Sequence, residues 1–101
     1  MMMAFDPSQT PPSRLDEATV DGIRVSLREY LATGFSSGLQ AALIRMASEA
    51  RDKAIYPEQV LRVLKDAWYA LPEVNAMIDV DERSRLLHRV VTMCIKEYYS
   101  V

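Results

Sequence analysis

Apolar residues recur every three or four positions in four segments of the chain, and this spacing is typical of amphipathic α-helices. Glycine or proline stands at the junctions between segments, so each helix has a clear place to end. No segment keeps the strict alternation of apolar and polar residues that a half-buried strand shows. The predicted helices cover residues 14–33, 37–54, 57–71 and 80–99. The pattern therefore predicts an all-α domain of four helices, arranged as a compact bundle or an orthogonal array with short links.

The residues at the ends of these segments are of the types that begin and end helices. Ser13 and Asp16 have the spacing of a capping box before the first helix, and Asp79 and Glu82 have the same spacing before the last one. Gly34 follows the last periodic residue of the first helix, where a left-handed glycine closes many helices. We therefore expect the first helix to open at Ser13 and to stop at Gly34.

The first dozen residues differ in composition from the rest of the chain. Residues 1–12 contain three of the five prolines, which cannot continue a helix. We expect a flexible tail there, followed by a single helical domain over residues 13–101. The predicted core of that domain consists of Leu27, Leu31, Leu43, Val60, Leu64, Trp68, Leu87, Val91 and Cys94.

The last predicted helix carries more apolar residues than one neighbouring helix can cover. At 100° per residue these side chains span an arc of about 200°. Either the helix lies centrally in the bundle, or one edge of the arc contacts another chain. The apolar residues of this helix are Leu86, Leu87, Val90, Val91, Met93, Cys94, Ile95, Tyr98 and Tyr99.

Two pairs of consecutive aromatic residues, Trp68-Tyr69 and Tyr98-Tyr99, lie on predicted helices. Neighbouring helical residues point in different directions, so only one ring of each pair can point squarely into the core. The other ring is left for solvent or for a partner. Tyrosine suits an interface because it combines a large apolar ring with a polar tip.

A narrow basic ridge, formed by Arg85, Arg89 and Lys96, follows the polar side of the last helix. The ridge either docks an acidic or phosphate-bearing partner, or is a solvated surface whose charge complements the helix dipole. Together with the aromatic pairs it predicts a module for protein–protein interaction or oligomerisation, including a homodimer, that binds through the C-terminal helix. The predicted interface residues are Tyr69, Arg85, Arg89, Tyr98 and Tyr99.

Charge and hydropathy argue against several partners. The chain has 101 residues and a net charge of −2, which gives it no general attraction for nucleic acid or anionic lipid. It has no apolar stretch approaching the roughly 20 residues of a membrane span. Its N-terminus lacks the basic start and apolar run of a signal peptide. We therefore expect a cytoplasmic protein without a membrane partner.

The reactive side chains are too few for most active sites. His88 and Cys94 are the single histidine and cysteine, and their spacing on one helix points them in different directions. No pair of residues has the spacing of a common metal motif. The sequence predicts no enzyme, with no catalytic, cofactor-binding or metal-binding residue.

An alternative function is DNA binding by residues 39–71. The small and apolar residues there resemble the helix-turn-helix motif, which implies that the third helix enters the major groove. Two features oppose the resemblance: Glu49 and Lys53 stand at positions that are usually apolar, and the outer face of the third helix carries as many acidic as basic groups. The residues that carry the resemblance are Ala50, Ala54, Ile55, Val60 and Val63. The residues that would contact DNA are Gln59, Arg62 and Lys65.

Overall fold

The computed structural model describes residues 14–99, which fold as helices joined by short loops. These helices are α1 (Glu17–Thr33), α2 (Ser37–Asp52), α3 (Pro57–Tyr69), α4 (Pro72–Asn75) and α5 (Val80–Tyr98). The described residues contain no strand, and α4 is a single turn in the link between α3 and α5. The predicted all-α domain with four main helices is therefore confirmed.

The four long helices form two antiparallel hairpins. Thr19 near the start of α1 bonds Glu49 near the end of α2. The Tyr98 hydroxyl at the end of α5 donates to the Ile55 carbonyl just before α3. Arg51 in the last turn of α2 donates to backbone carbonyls at the end of α5, which joins the two hairpins. As a result, α1 and α5 each pack against both α2 and α3.

The core lies between these four helices and contains most of the residues that the apolar pattern predicted. The buried members of the predicted set are Leu27, Leu43, Val60, Leu64, Trp68 and Cys94. The prediction is wrong in detail for Leu31, Leu87 and Val91, which are only partly buried and pack against the outside of the core. The 3.6-residue period gives the face of a helix but not how far along it a neighbouring helix extends, so Leu87 stays partly exposed although it lies within about 20° of the buried Cys94 around α5.

Helix α1 begins at Glu17 and not at residue 14, because side chains in the last turn of α2 and just after it bond the preceding residues, and Asp16 is extended. The Lys53 ammonium donates to the Arg14 carbonyl at 2.7 Å, and the Glu49 carboxylate accepts from the Asp16 backbone N–H at 2.6 Å. Asp16 is extended, with a ψ of 148°, and its side chain makes no capping bond. The predicted start at Ser13 is therefore wrong.

The second and third helices also end earlier than predicted. α2 ends at Asp52 and not at residue 54, since Ala54 takes a left-handed φ of 56°. α3 ends at Tyr69 and not at residue 71, since Leu71 is extended with a ψ of 126°. A proline disfavours the helical conformation in the residue before it, and Pro72 follows Leu71 directly.

Two predicted helix ends are confirmed. Gly34 has a φ of 79°, and its N–H donates to the Tyr30 carbonyl at 2.8 Å, which closes α1. The Asp79 carboxylate accepts from the backbone N–H groups of Asp81 and Glu82 at 3.0 and 3.1 Å, which opens α5. Both bonds join residues that are close in sequence, so a local pattern is enough to predict them.

The predicted tail over residues 1–12 lies outside the described residues. Within residues 14–99, each helix is too short or too polar to cross a membrane.

Candidate interaction surface

The wide apolar arc of α5 is covered largely by two neighbours, because α5 lies between α2 and α3. Val90 and Cys94 at the middle of the arc are buried. Five further members of the arc are partly buried against the core: Leu86, Leu87, Val91, Met93 and Tyr98. The remaining two, Ile95 and Tyr99, are 39% and 64% exposed. The central position of α5 thus accounts for most of the arc and leaves one exposed apolar edge.

The two C-terminal tyrosines have different surroundings. The Tyr98 hydroxyl donates to the Ile55 carbonyl at 2.7 Å, so this side chain ties the end of α5 to the start of α3. The Tyr99 ring meets the Tyr98 ring edge-on, with centroids 5.2 Å apart and planes at 72°. Of the two, Tyr99 is the ring that the domain presents to its surroundings.

The exposed edge of α5 continues onto α3. Pro57 and Leu61 of α3 line one shallow cleft together with Ile95 of α5, and Tyr56 at the start of α3 is 70% exposed. Tyr99 lies one turn beyond Ile95 on the same side of α5. We call the surface made by Tyr56, Pro57, Leu61, Ile95 and Tyr99 the α3–α5 seam. The cleft in the seam has a volume of only about 10 Å³, so the seam is a surface for contact and not a ligand cavity.

The basic ridge of Arg85, Arg89 and Lys96 runs beside the seam on the outer face of α5. All three side chains are exposed, and within residues 14–99 none of them lies within ion-pair distance of a carboxylate. Arg89 donates one long bond, of 3.5 Å, to the hydroxyl of Tyr30 on α1. The ridge therefore keeps its positive charge available to a partner.

Tyr69 is separated from the other predicted interface residues. Trp68 is fully buried and Tyr69 is 54% exposed, so one ring of this pair points inward as predicted. However, Tyr69 is the last residue of α3, while Tyr98 lies beside the first turn of α3. At 1.5 Å per residue, these two places are about 18 Å apart along α3. The structure thus brings Arg85, Arg89, Tyr98 and Tyr99 onto one helix and leaves Tyr69 at the other end of the domain.

The residues predicted to contact DNA are divided between two surroundings. Gln59 and Arg62 line a groove of about 650 Å³ between α1 and α3, whereas Lys65 lies outside it. The Gln59 side-chain oxygen also accepts from the Tyr56 backbone N–H at 3.2 Å, which fixes it at the start of α3. Asp66 lines the same groove and adds a negative charge to this side of α3. The mixture of charges predicted for the outer face of α3 is therefore found in the structure.

Sequence reasoning missed a polar cluster at the end of α2. The Glu49 carboxylate bonds the Asp16 backbone, the Thr19 hydroxyl and the Lys53 ammonium. Burial alone would raise the pKa of Glu49, but the bonds from Lys53, Thr19 and Asp16 together lower it. The bonds to Glu49 and Asp16 raise the pKa of Lys53. The spacing of Glu49 and Lys53 predicts a pair on one helix, but nothing in it indicates that α1 completes the cluster.

The single cysteine has the character of a core residue. Cys94 is buried, and burial raises the pKa of its thiol to about 11, which leaves little reactive thiolate near neutral pH. His88 lies on the exposed face of the same helix. Residues 14–99 contain no group of three or more histidine, cysteine and acidic side chains that could hold a metal ion.

No protein-family model matches the chain, and no curated protein or solved structure shows significant similarity to it. Its function therefore has to be inferred from the chemistry of its own surfaces.

Proposed function

We propose that this chain is a cytoplasmic, non-enzymatic module for protein–protein interaction or oligomerisation, which binds through α5. The observation that carries the proposal is the exposure of Ile95 and Tyr99 at the α3–α5 seam. Single exposed apolar side chains are common on monomeric proteins, but contiguous apolar surface, such as Ile95 beside Pro57 and Leu61, often marks a site of association. Exposed tyrosine is also enriched among the residues that contribute most to binding.

The size of a stable interface sets a further requirement. A specific protein complex buries roughly 800 Å² on each partner, which the seam residues alone do not provide. The interface must therefore extend along α5 and include the polar residues beside the seam. An apolar centre with a charged rim is the usual arrangement of such a surface.

The proposal is tested by removing the exposed apolar side chains while leaving the internal ones intact. We expect Ile95→Ser with Tyr99→Ser to abolish association with a second copy or another protein and to preserve the helical content. The matched control is Val25→Ser with Phe35→Ser, which removes an exposed aliphatic and an exposed aromatic side chain on other surfaces. Solution mass by light scattering and helicity by circular dichroism are the two measurements.

Tyr98 is unsuitable for this test, because its hydroxyl bonds the Ile55 carbonyl inside the domain. Tyr98→Phe serves as a second control, which should lower stability without changing association. If the wild-type chain is a monomer at high concentration, the homodimer is excluded, and binding to a different protein is left to be tested with added partners. If the seam variant and the control weaken association equally, α5 is not the binding element.

A further inference from the structure

We infer that the partner of this surface is an acidic amphipathic helix of another protein, which lies along the outer face of α5. This inference rests on the proposed function and names the chemistry of the partner. It combines two neighbouring features of one helix, the apolar seam and the basic ridge. Each feature alone is common on protein surfaces, but side by side they specify a ligand with an apolar stripe and an adjacent acidic stripe.

The basic ridge has no structural task that accounts for all of its members. Positive charge near the end of a helix complements the helix dipole, but this effect fades beyond the last turn. Lys96 lies in the last turn of α5, whereas Arg85 and Arg89 lie two or more turns before the end. Arg51 of α2 already places a positive charge at the end of α5, because it donates to the Glu97 and Tyr98 carbonyls at 3.1 and 2.9 Å. Stabilisation of α5 therefore does not require the ridge.

The geometry of α5 sets the length of the partner. Arg85 and Lys96 are separated by about 16 Å along the helix axis. Ile95, the residue before Lys96, lines the cleft against α3, and Tyr99 lies one turn further along the same side of α5. A partner helix of at least three to four turns can place apolar residues against Ile95 and Tyr99 while its acidic residues face the ridge.

Charge also distinguishes this partner from a second copy of the chain. A two-fold interface centred on the outer face of α5 would gather the ridges of both copies, and juxtaposed like charges oppose association. An acidic helix instead gains attraction from each of the three groups. Nucleic acid would also be attracted by the ridge, but its phosphate backbone makes no apolar contact with Ile95. The net charge of −2 on the chain also opposes the binding of nucleic acid.

The experiment uses synthetic helical peptides of about 18 residues, which is five turns. One peptide has a leucine stripe flanked by glutamate, and two sequence-matched peptides carry lysine or glutamine in place of the glutamates. We expect the full chain to bind the glutamate peptide at least about tenfold more tightly than the other two, as measured by fluorescence anisotropy. Binding should weaken as salt is added, because exposed charge pairs are screened.

Charge reversal locates the site. Arg85→Glu with Lys96→Glu should weaken binding of the glutamate peptide by about tenfold or more. Arg89 is left unchanged because it contacts Tyr30. The matched control is Arg45→Glu with Arg62→Glu, which makes the same change in net charge at exposed positions on α2 and α3. Circular dichroism should show equal helicity in both variants.

Each other outcome overturns the inference, and the outcomes differ in what they imply for the proposed function. Equal binding of all three peptides, lost in Ile95→Ser with Tyr99→Ser, would keep the interaction module but refute an acidic partner. A homodimer that is lost in the seam variant, in a chain that binds no peptide, would likewise keep the interaction module and refute an acidic partner. Tighter binding of a duplex DNA oligonucleotide than of the glutamate peptide would assign the ridge to nucleic acid. A monomer that binds none of these probes would refute the acidic partner helix and exclude the homodimer.

Discussion

The two ends of this bundle are closed in different ways. One end, which we call the polar end, contains residues 14–16, 49–57 and 97–99, and there the side chains of α2 bond the backbone of both neighbouring helices. The remaining helix ends, which we call the apolar end, comprise residues 33–37 and 69–80, where the turns are closed mainly by residues near in sequence. Four large exposed apolar side chains lie at the apolar end, Phe35, Tyr69, Ile78 and Val80, while Tyr56 and Tyr99 of the α3–α5 seam lie at the polar end.

At the polar end, α2 supplies each neighbour with the charge that its helix dipole favours. The negative Glu49 side chain accepts from the backbone before the first turn of α1. The positive Arg51 side chain donates to carbonyls at the end of α5. Negative charge at a helix start and positive charge at a helix end are both stabilising. The last turn of α2 thus holds three helices together.

At the apolar end, closure depends on local conformation. Gly34 closes α1 through Tyr30, and Asp79 opens α5 through its own backbone neighbours. One ion pair, between Arg28 and Glu73 at 2.9 Å, links α1 to α4 across this end. Exposed pairs of this kind contribute little to stability. We therefore expect the apolar end to open more readily than the polar end.

The largest expected effect comes from the core that both ends share. Leu64 of α3 is fully buried, and Leu64→Ala should lower the free energy of unfolding by about 2–5 kcal/mol. Amide hydrogen exchange should then lose protection at both ends alike, because global unfolding exposes them together. Urea unfolding measures the loss of stability. A loss of protection confined to one end would show that the two ends unfold independently.

Loss of one acidic side chain should cost more stability at the polar end than at the apolar end. Glu49→Ala removes a charged acceptor from the Asp16 backbone and the Thr19 hydroxyl, so it should cost about 2 kcal/mol. The matched change at the apolar end is Asp79→Ala, which removes a local cap and should cost about 1 kcal/mol. Amide hydrogen exchange should become faster at the start of α1 in Glu49→Ala and at the start of α5 in Asp79→Ala. Equal costs would remove the energetic distinction between the ends.

The same difference between local and distant contacts explains what the sequence could predict. Gly34 and Asp79 act on residues within four positions, so residue type and spacing were enough. The start of α1 was mispredicted because Glu49, which bonds Asp16, lies 33 residues away in the chain. Tyr98 and Tyr99 were likewise indistinguishable, since both lie in the apolar arc and the acceptor of Tyr98 is 43 residues away. Apolar periodicity predicts which face of a helix is buried, but not which helix end a distant side chain bonds.

Acid should weaken the polar end more than the apolar end. The pKa of Glu49 is lowered by its bonds to Lys53, Thr19 and Asp16, which together outweigh the effect of burial. The pKa of Glu73 is lowered by its own backbone N–H and by Arg28. A carboxylate with a lowered pKa contributes stability above its ordinary value of 4.5, and this contribution is lost as the pH falls below it. Glu49 is the more buried of the two, so its contribution should be the larger one.

The measurement is the free energy of unfolding between neutral pH and about pH 3. The free energy of unfolding should fall less on acidification in Glu49→Gln than in Glu73→Gln. At the alkaline extreme the sign is reversed for Lys53, whose raised pKa gives a contribution that is lost as the pH rises above 10.5. If both glutamine variants follow the wild-type curve, neither carboxylate is coupled to folding.

The smallest expected effect concerns the most exposed apolar residue. Ile78, in the link between α4 and α5, is 96% exposed, so Ile78→Ser should change the free energy of unfolding by less than about 0.5 kcal/mol. Val74 in α4 is fully buried and provides the contrast, since Val74→Ala should cost about 1–3 kcal/mol. Urea unfolding of the two variants measures the loss of stability at an exposed and at a buried position of the apolar end. A loss above 1 kcal/mol for Ile78→Ser would mean that this side chain is covered in solution, and the apolar end would then be a second candidate for association.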